Sequence, residues 1–238
     1  MINNFIYADL STYQPLSSIN FYEQIFNWHY FKSNDHFFVL NKQKLLVGLY
    51  ETPKPFQQIN MPHFWMSYIS VESVSETVTK ARAENGIIEL EKEIKNFGKI
   101  ALIRDTQGAG FTVFEGNVSQ FHGRTIEKGA LIWNELHVSN IENVIPFYQK
   151  IFNWKLKKIT PTFYKVYNAD HNYIADILEI PNTSKGKHEY WVCSFGVKNL
   201  TQAKNNVLRA GGQIITSTNN RILVADNSGQ AFFYLQLI

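Results

Sequence analysis

The chain has 238 residues, 45% of them hydrophobic and 18% charged, with 13 glycines, 7 prolines and a formal net charge of +3. That balance excludes a disordered, collagen-like or low-complexity chain, and its scattered basic residues lack the concentrated face of a nucleic-acid binder. No apolar run reaches the roughly 18 residues of a membrane span, and Met1-Ile2-Asn3-Asn4 lacks the basic start and apolar core of a signal peptide. A cytoplasmic protein with neither nucleic-acid nor membrane partner is therefore expected. The single cysteine, Cys193, cannot form an internal disulfide and fits a reducing compartment. Aromatic residues make up 15%, so the core and any pocket should be lined with rings.

In chain order, Phe5 to Leu10 reads as a strand, and Ile19, Tyr22, Ile25 and Phe26 recur at helical spacing behind Pro15. Short runs at 28–31, 36–40 and 45–50 are broken by Ser33-Asn34-Asp35 and Asn41-Lys42-Gln43, as hairpin turns would break them. A second unit opens with a strand at Trp65 to Val71. Its helix begins at Ser73-Val74-Ser75-Glu76, a capping box, and ends at Gly86, where a left-handed residue is expected. Strands at 100–104 and 111–114 flank the turn Asp105-Thr106-Gln107-Gly108.

The order then repeats. Phe21-Tyr22-Glu23-Gln24-Ile25-Phe26-Asn27-Trp28 recurs as Phe147-Tyr148-Gln149-Lys150-Ile151-Phe152-Asn153-Trp154, an offset of 126 (147 less 21). The same offset relates Trp65 to Trp191, Val71 to Val197 and Gly86 to Gly212. At Asp226-Asn227-Ser228-Gly229 it falls to 121 (226 less 105), a loss of five residues assigned to a hairpin loop. The reading is of two modules, 1–116 and 129–238, joined by a mostly polar linker at 117–128. The second module has a strand at 130–138, a helix at 141–152, strands to 180, a strand at 190–197, a helix at 200–210 and three further strands.

The strand Trp133-Asn134-Glu135-Leu136-His137-Val138 and the helix ending Phe-Tyr-x-x-Ile-Phe-Asn-Trp resemble the vicinal oxygen chelate superfamily. That superfamily includes glyoxalase I, bleomycin-resistance proteins and extradiol dioxygenases. Trp65 to Val74, Glu84-Asn85-Gly86 and Asp105-x-Gln107-Gly108 agree with it, and the likeness is to the tandem two-module branch. It implies an α+β fold: four βαβββ units forming two glyoxalase-like modules, each with a mixed sheet curled around a cup. It also implies a divalent metal held by three side chains facing the interior. Counted from the shared motifs, those positions fall on Tyr7, Met66 and Thr112 in the first module, and on Trp133, Val192 and Phe233 in the second. Neither set has a ligand of the usual type, so no metal and no cofactor are expected.

Alternation along the strands points Tyr7, Asp9 and Ser11 together, and likewise Trp133, Glu135 and His137. Glu135 with His137 reads either as a general acid–base pair, or ligands of a displaced metal, or as structural pairing of a buried acid. Tyr7, Asp9, Met66, Tyr68 and Thr112 in one cup, and Trp133, Val192, Ser194 and Phe233 in the other, either line a slot for a flat or apolar ligand or fill a closed cup. Trp65, Trp191 and Cys193 should face the helices. Three functions follow: a metal-free small-molecule binder acting as monomer or homodimer, an enzyme using Glu135 and His137 or a relocated metal, or an interaction module with closed cups.

Overall fold

The computed structural model describes residues 2–238. The first half runs β1 (Phe5–Thr12), α1 (Pro15–Phe26), β2 (Tyr30–Ser33), β3 (His36–Asn41), β4 (Lys44–Glu51), α2 (Lys54–Gln58), β5 (Phe64–Ser70), α3 (Val74–Ala83), β6 (Ile87–Ile94), β7 (Gly98–Arg104) and β8 (Gly110–Glu115). The second half runs β9 (Leu131–Val138), α4 (Ile145–Phe152), β10 (Lys155–Thr160), β11 (Phe163–Tyr167), β12 (Tyr173–Glu179), α5 (Asn182–Lys185), β13 (Tyr190–Val197), α6 (Leu200–Arg209), β14 (Gln213–Ser217), β15 (Arg221–Ala225) and β16 (Phe232–Leu237). Two eight-stranded sheets result, ordered β2-β3-β4-β1-β5-β8-β7-β6 and β10-β11-β12-β9-β13-β16-β15-β14. β1 pairs parallel with β4, β5 with β8, β12 with β9 and β13 with β16, while the hairpin partners are antiparallel, so both sheets are mixed. This is the expected α+β tandem of four βαβββ units, with β6 and the two short helices α2 and α5 in addition to the elements read from sequence.

Contacts group the residues into two compact units, which do not follow the two halves of the chain. Among the described residues, one comprises 2–6, 67–118 and 134–192; the other comprises 7–66, 119–133 and 193–238. Each has its own core. In the first unit, α3 and α4 cover a core that includes Ile69, Val78, Phe111, Phe147, Tyr148, Phe152, Trp154 and Trp191. In the second, the core includes Leu10, Phe21, Tyr22, Phe26, Trp28, Trp65, Cys193, Phe195, Val207 and Phe233. Trp65, Trp191 and Cys193 are thus on the helix side, as alternation requires.

The repeated octapeptide has a physical reason at nearly every position. Asn27 and Asn153 end α1 and α4 in the left-handed conformation (φ 59° and 54°), a helix stop that asparagine tolerates. The tryptophan that follows turns back, and its indole donates to a main-chain oxygen: Trp28 to Gly129 at 3.2 Å, Trp154 to Asn3 at 2.9 Å. Tyr22 and Tyr148 each accept from an indole, Trp65 at 2.9 Å and Trp191 at 3.0 Å. Each phenol then donates to a buried carboxylate, Asp226 at 3.4 Å and Asp105 at 2.9 Å. Asp105 also accepts from the backbone of Gln107, Gly108 and Ala109, which explains the Asp-x-Gln-Gly turn.

Three local expectations change. Asn85 (φ 64°), not Gly86, takes the left-handed position after α3; a Cβ on Gly86 would stand 2.7 Å from the ring of Phe147 and 2.9 Å from the Ala81 carbonyl. The five missing residues come from strands rather than a loop. β6 and β7 have eight and seven residues, β14 and β15 five each, and three residues connect either pair. The segment at 117–128 is packed down, with Phe121 only 3% exposed and His122 N donating to Leu45 O at 2.8 Å.

Candidate functional site

On β9, Leu136 and Val138 enter the core of the first unit, which sends Glu135 and His137 to the opposite face. His137 Nε2 donates to Glu135 Oε1 at 2.7 Å, and both side chains are 1% exposed. The pairing of β9 with β12 sets Asp176 directly beside Glu135, and that of β11 with β12 sets Lys165 beside Asp176. Tyr173 donates its hydroxyl to Asp176, while the Lys165 ammonium lies 4.6 Å from the Tyr173 ring. Burial, then its bond to Asp176, holds the Tyr173 phenol well above its ordinary range. The Tyr190 ring packs 5.4 Å from the imidazole, and burial, followed by the charge of Glu189, pushes its phenol up to about 12. The carboxylate fixes the imidazole's orientation, so the pair can accept or return a proton at a defined place. Asp176, Tyr173, Lys165 and Tyr190 were missed in sequence because strand register, which no spacing rule supplies, brings them to Glu135.

The equivalent first-module residues differ. Tyr7 and Asp9 are 2% and 3% exposed, and the Tyr7 hydroxyl occupies the space beside Gly48, where a Cβ would meet it at 2.2 Å. The Tyr7 ring packs on Phe121 at 4.9 Å. Burial, then the charge of Asp9, raises both the Tyr7 and Tyr50 phenols. Ser11, at the position of His137, bonds Thr52 at 2.8 Å. Met66 is buried in the second unit; in the first, Tyr68 and Thr112 are buried partners across β5 and β8.

Val192 and Ser194 are both fully buried, and Trp133 is half-buried with the Arg124 guanidinium 4.4 Å from its ring. Phe233 requires correction. It packs in the helix-side core against Tyr22 (5.5 Å) and Phe21 (6.4 Å), and Tyr234 is the residue paired with Ser194. The cause is one extra residue in the turn: Asp226 N bonds Ala231 O, whereas Asp105 N bonds Ala109 O. A shift of one residue exchanges the faces of a strand.

The chemistry of the donors at the superfamily's metal positions does not fit a divalent ion. Tyr7, Met66 and Thr112 offer a phenol, a thioether and a hydroxyl; Trp133 and Val192 offer nothing, and Tyr234, which replaces Phe233, adds one phenol. Among the described residues no group of three His, Cys, Asp or Glu side chains could hold a metal ion, and no helix is long and apolar enough to cross a membrane.

Two mixed sheets of tandem βαβββ units, each unit's helix laid over a ring-rich core, make a glyoxalase-like fold. The family model of the Glyoxalase/Bleomycin resistance protein/Dioxygenase superfamily matches residues 7–113, within the first module. The Mycobacterium tuberculosis protein named "Putative glyoxylase CFP32" is 24% identical over 247 aligned positions, covering 97% of this chain and 93% of the relative. Among solved structures, the Mn(II)-bound glyoxalase from Novosphingobium aromaticivorans is similar with a TM-score of 0.67 at 12% identity, covering 99% of this chain and 82% of that one. The 2,2',3-trihydroxybiphenyl 1,2-dioxygenase from Sphingomonas wittichii RW1 gives 0.65 at 11%, covering 100% and 91%. At such identities the structures establish the fold.

Proposed function

We propose that this is a glyoxalase/bleomycin-resistance-like protein that works without the superfamily's metal and binds a small apolar or aromatic molecule, oriented by the Glu135–His137 pair. The observation that carries this is the 2.7 Å bond between two side chains that are each 1% exposed, with the Tyr190 ring tilted against the imidazole at 5.4 Å. A buried polar pair among rings lets burial supply affinity while the hydrogen-bonding groups penalise a wrong orientation. The first module has Ser11 where the second has His137, so the pair is particular to one copy. The protein of this reading is cytoplasmic, a monomer or homodimer, and has no nucleic-acid or membrane partner.

Ligand-observed NMR with a panel of small aromatic fragments tests it. Hits should lose roughly tenfold in affinity in Glu135→Gln or His137→Ala, a change of about 1.4 kcal/mol. Hits that ignore both substitutions, or about one equivalent of divalent metal per purified chain, would overturn the reading. The same bond favours a second reading, an acid–base enzyme of the superfamily, which predicts that a bound fragment with an exchangeable C–H or hydrolysable group is turned over and that Glu135→Gln abolishes turnover.

A further inference from the structure

In the second unit a cleft of about 190 Å³ opens between the end of α1 and the start of α6. Its apolar lining is Ile25, Val197 and Ala203, each no more than 5% exposed. Val197 belongs to the helix-side core, so the cleft lies on the face of the sheet opposite to Ser194 and Tyr234. The polar lining is Lys128, Lys198, Asn199, Gln202 and Asn206. Main-chain pairing brings Lys128 there: it bridges Gly196, and Gly129 N donates to Gly196 O at 2.8 Å. Neither ammonium has a hydrogen-bond or ion-pair partner among the described residues. Glu127, the acid beside Lys128 in sequence, turns instead to Lys42 (3.5 Å), His122 (3.5 Å) and Asn41 (3.1 Å). Asn199 Oδ1 accepts from Gln202 N at 2.9 Å and Asn206 Oδ1 from Arg209 at 2.6 Å, so the groups these two amides leave unused are N–H donors. The lining offers cations and donors, and no carboxylate.

The first copy of the repeat shows that the fold does not require this balance. There Asn3 N donates to Ser70 O at 2.7 Å, as Gly129 N does to Gly196 O, so the offset of 126 maps the lining residue by residue. Ile2, Glu72, Glu76 and Lys80 stand where the second copy has Lys128, Lys198, Gln202 and Asn206. Two acids and one base are replaced by two bases and no acid. Two uncompensated cations over an apolar lining suit a dianion with a carbon body, since a monoanion would leave one charge unmatched. A phosphate monoester is such a dianion above its second pKa of about 6, and lysine holds phosphate as a point charge without bidentate geometry. We propose that this cleft binds a small phosphate monoester, its head held by Lys128, Lys198 and the amide N–H groups and its carbon body resting on Ile25, Val197 and Ala203. The cleft shares no residue with Glu135 and His137, and its occupant is independent of their role.

The test is titration of the ¹⁵N-labelled full chain, at about pH 8 and fixed ionic strength, with phenyl phosphate, inorganic phosphate, benzoate and phenol, read by amide chemical shifts. Phenyl phosphate should give saturable shifts centred on residues 128–129 and 197–206. Inorganic phosphate, which lacks the carbon body, and benzoate, which has a single charge, should move the same amides with affinity lower by roughly several-fold or more, and phenol should leave them unmoved. Lys128→Ile with Lys198→Glu, which installs what the first copy carries, should weaken phenyl phosphate by roughly tenfold or more; both side chains are exposed, so melting should be unchanged. Should that pair melt early, Lys198→Gln alone is expected to weaken binding several-fold. Glu135→Gln should leave these shifts as they were. Shifts that do not saturate or that centre elsewhere, benzoate or inorganic phosphate as tight as phenyl phosphate, or lysine variants that bind like wild type each overturn the site.

Discussion

Phe21 and Phe147 stand at equivalent places in the repeated octapeptide, and each ring lies in the space that a glycine leaves, Gly212 and Gly86. Because that space is steric rather than conformational, alanine at either glycine should destabilise by about 1 to 3 kcal/mol, as forced overpacking does; urea unfolding of Gly86→Ala and Gly212→Ala measures it. A different residue sets a pH response. His63 is buried, its Nδ1 bonded to Thr12 at 3.1 Å, and burial lowers its pKa, an effect that Asp226 partly offsets. A depressed histidine stabilises the fold above its ordinary value, about 6.5, and that contribution is lost as pH falls through it towards the lowered value. The stability of wild type relative to His63→Asn should therefore decline between pH 7 and pH 5, read by urea unfolding at each pH. A difference that stays constant or grows on acidification would show that His63 keeps its charge in the fold.

At the scale of elements, the last strand shows what a sequence conveys and what it withholds. The octapeptide, the tryptophans and the aspartate turns fix the repeat, and alternation correctly separates Trp65, Trp191 and Cys193 from the opposite face. Counting onward from the turn fails at Phe233, because the insertion at Gln230 is invisible until the Asp226–Ala231 bond is seen. Asp176 is hidden for the same reason: its neighbours are chosen by pairing between strands distant in sequence. Gly86 misleads in another way, since glycine serves both left-handed backbone and close approach, and only the Phe147 ring decides between them. Deleting Gln230 should move Phe233 out of its core and drive Tyr234 in. The expected loss is about 3 to 5 kcal/mol, the scale of removing a buried phenylalanine, observed as a collapse of the melting transition. A variant that melts like wild type would mean that the strand tolerates either face.

Taken whole, the molecule has two sheets that follow the duplication and two cores that do not. Val78 and Phe111 share a core with Phe147 and Trp154, while Phe21 and Trp28 share one with Phe195 and Phe233. Residues 1–116 alone then hold half of each core, and should yield an aggregating or molten chain with dispersed ANS binding and no cooperative melting. Co-expression with 129–238 should restore a single soluble complex. A fragment 1–116 that is monomeric and melts cooperatively would show that a module is self-sufficient.

Synthesis from the N-terminus gives this cross-module sharing a temporal meaning. When residue 116 has been made, the rings of α1 and the apolar face of α3 still lack the residues that cover them. The first unit is completed only near residue 192 and the second only with β16. At about 5 to 20 residues per second, the nascent chain carries open aromatic half-cores for several seconds. The order of translation, rather than the strength of any contact, then sets the interval in which holding chaperones have most to grasp.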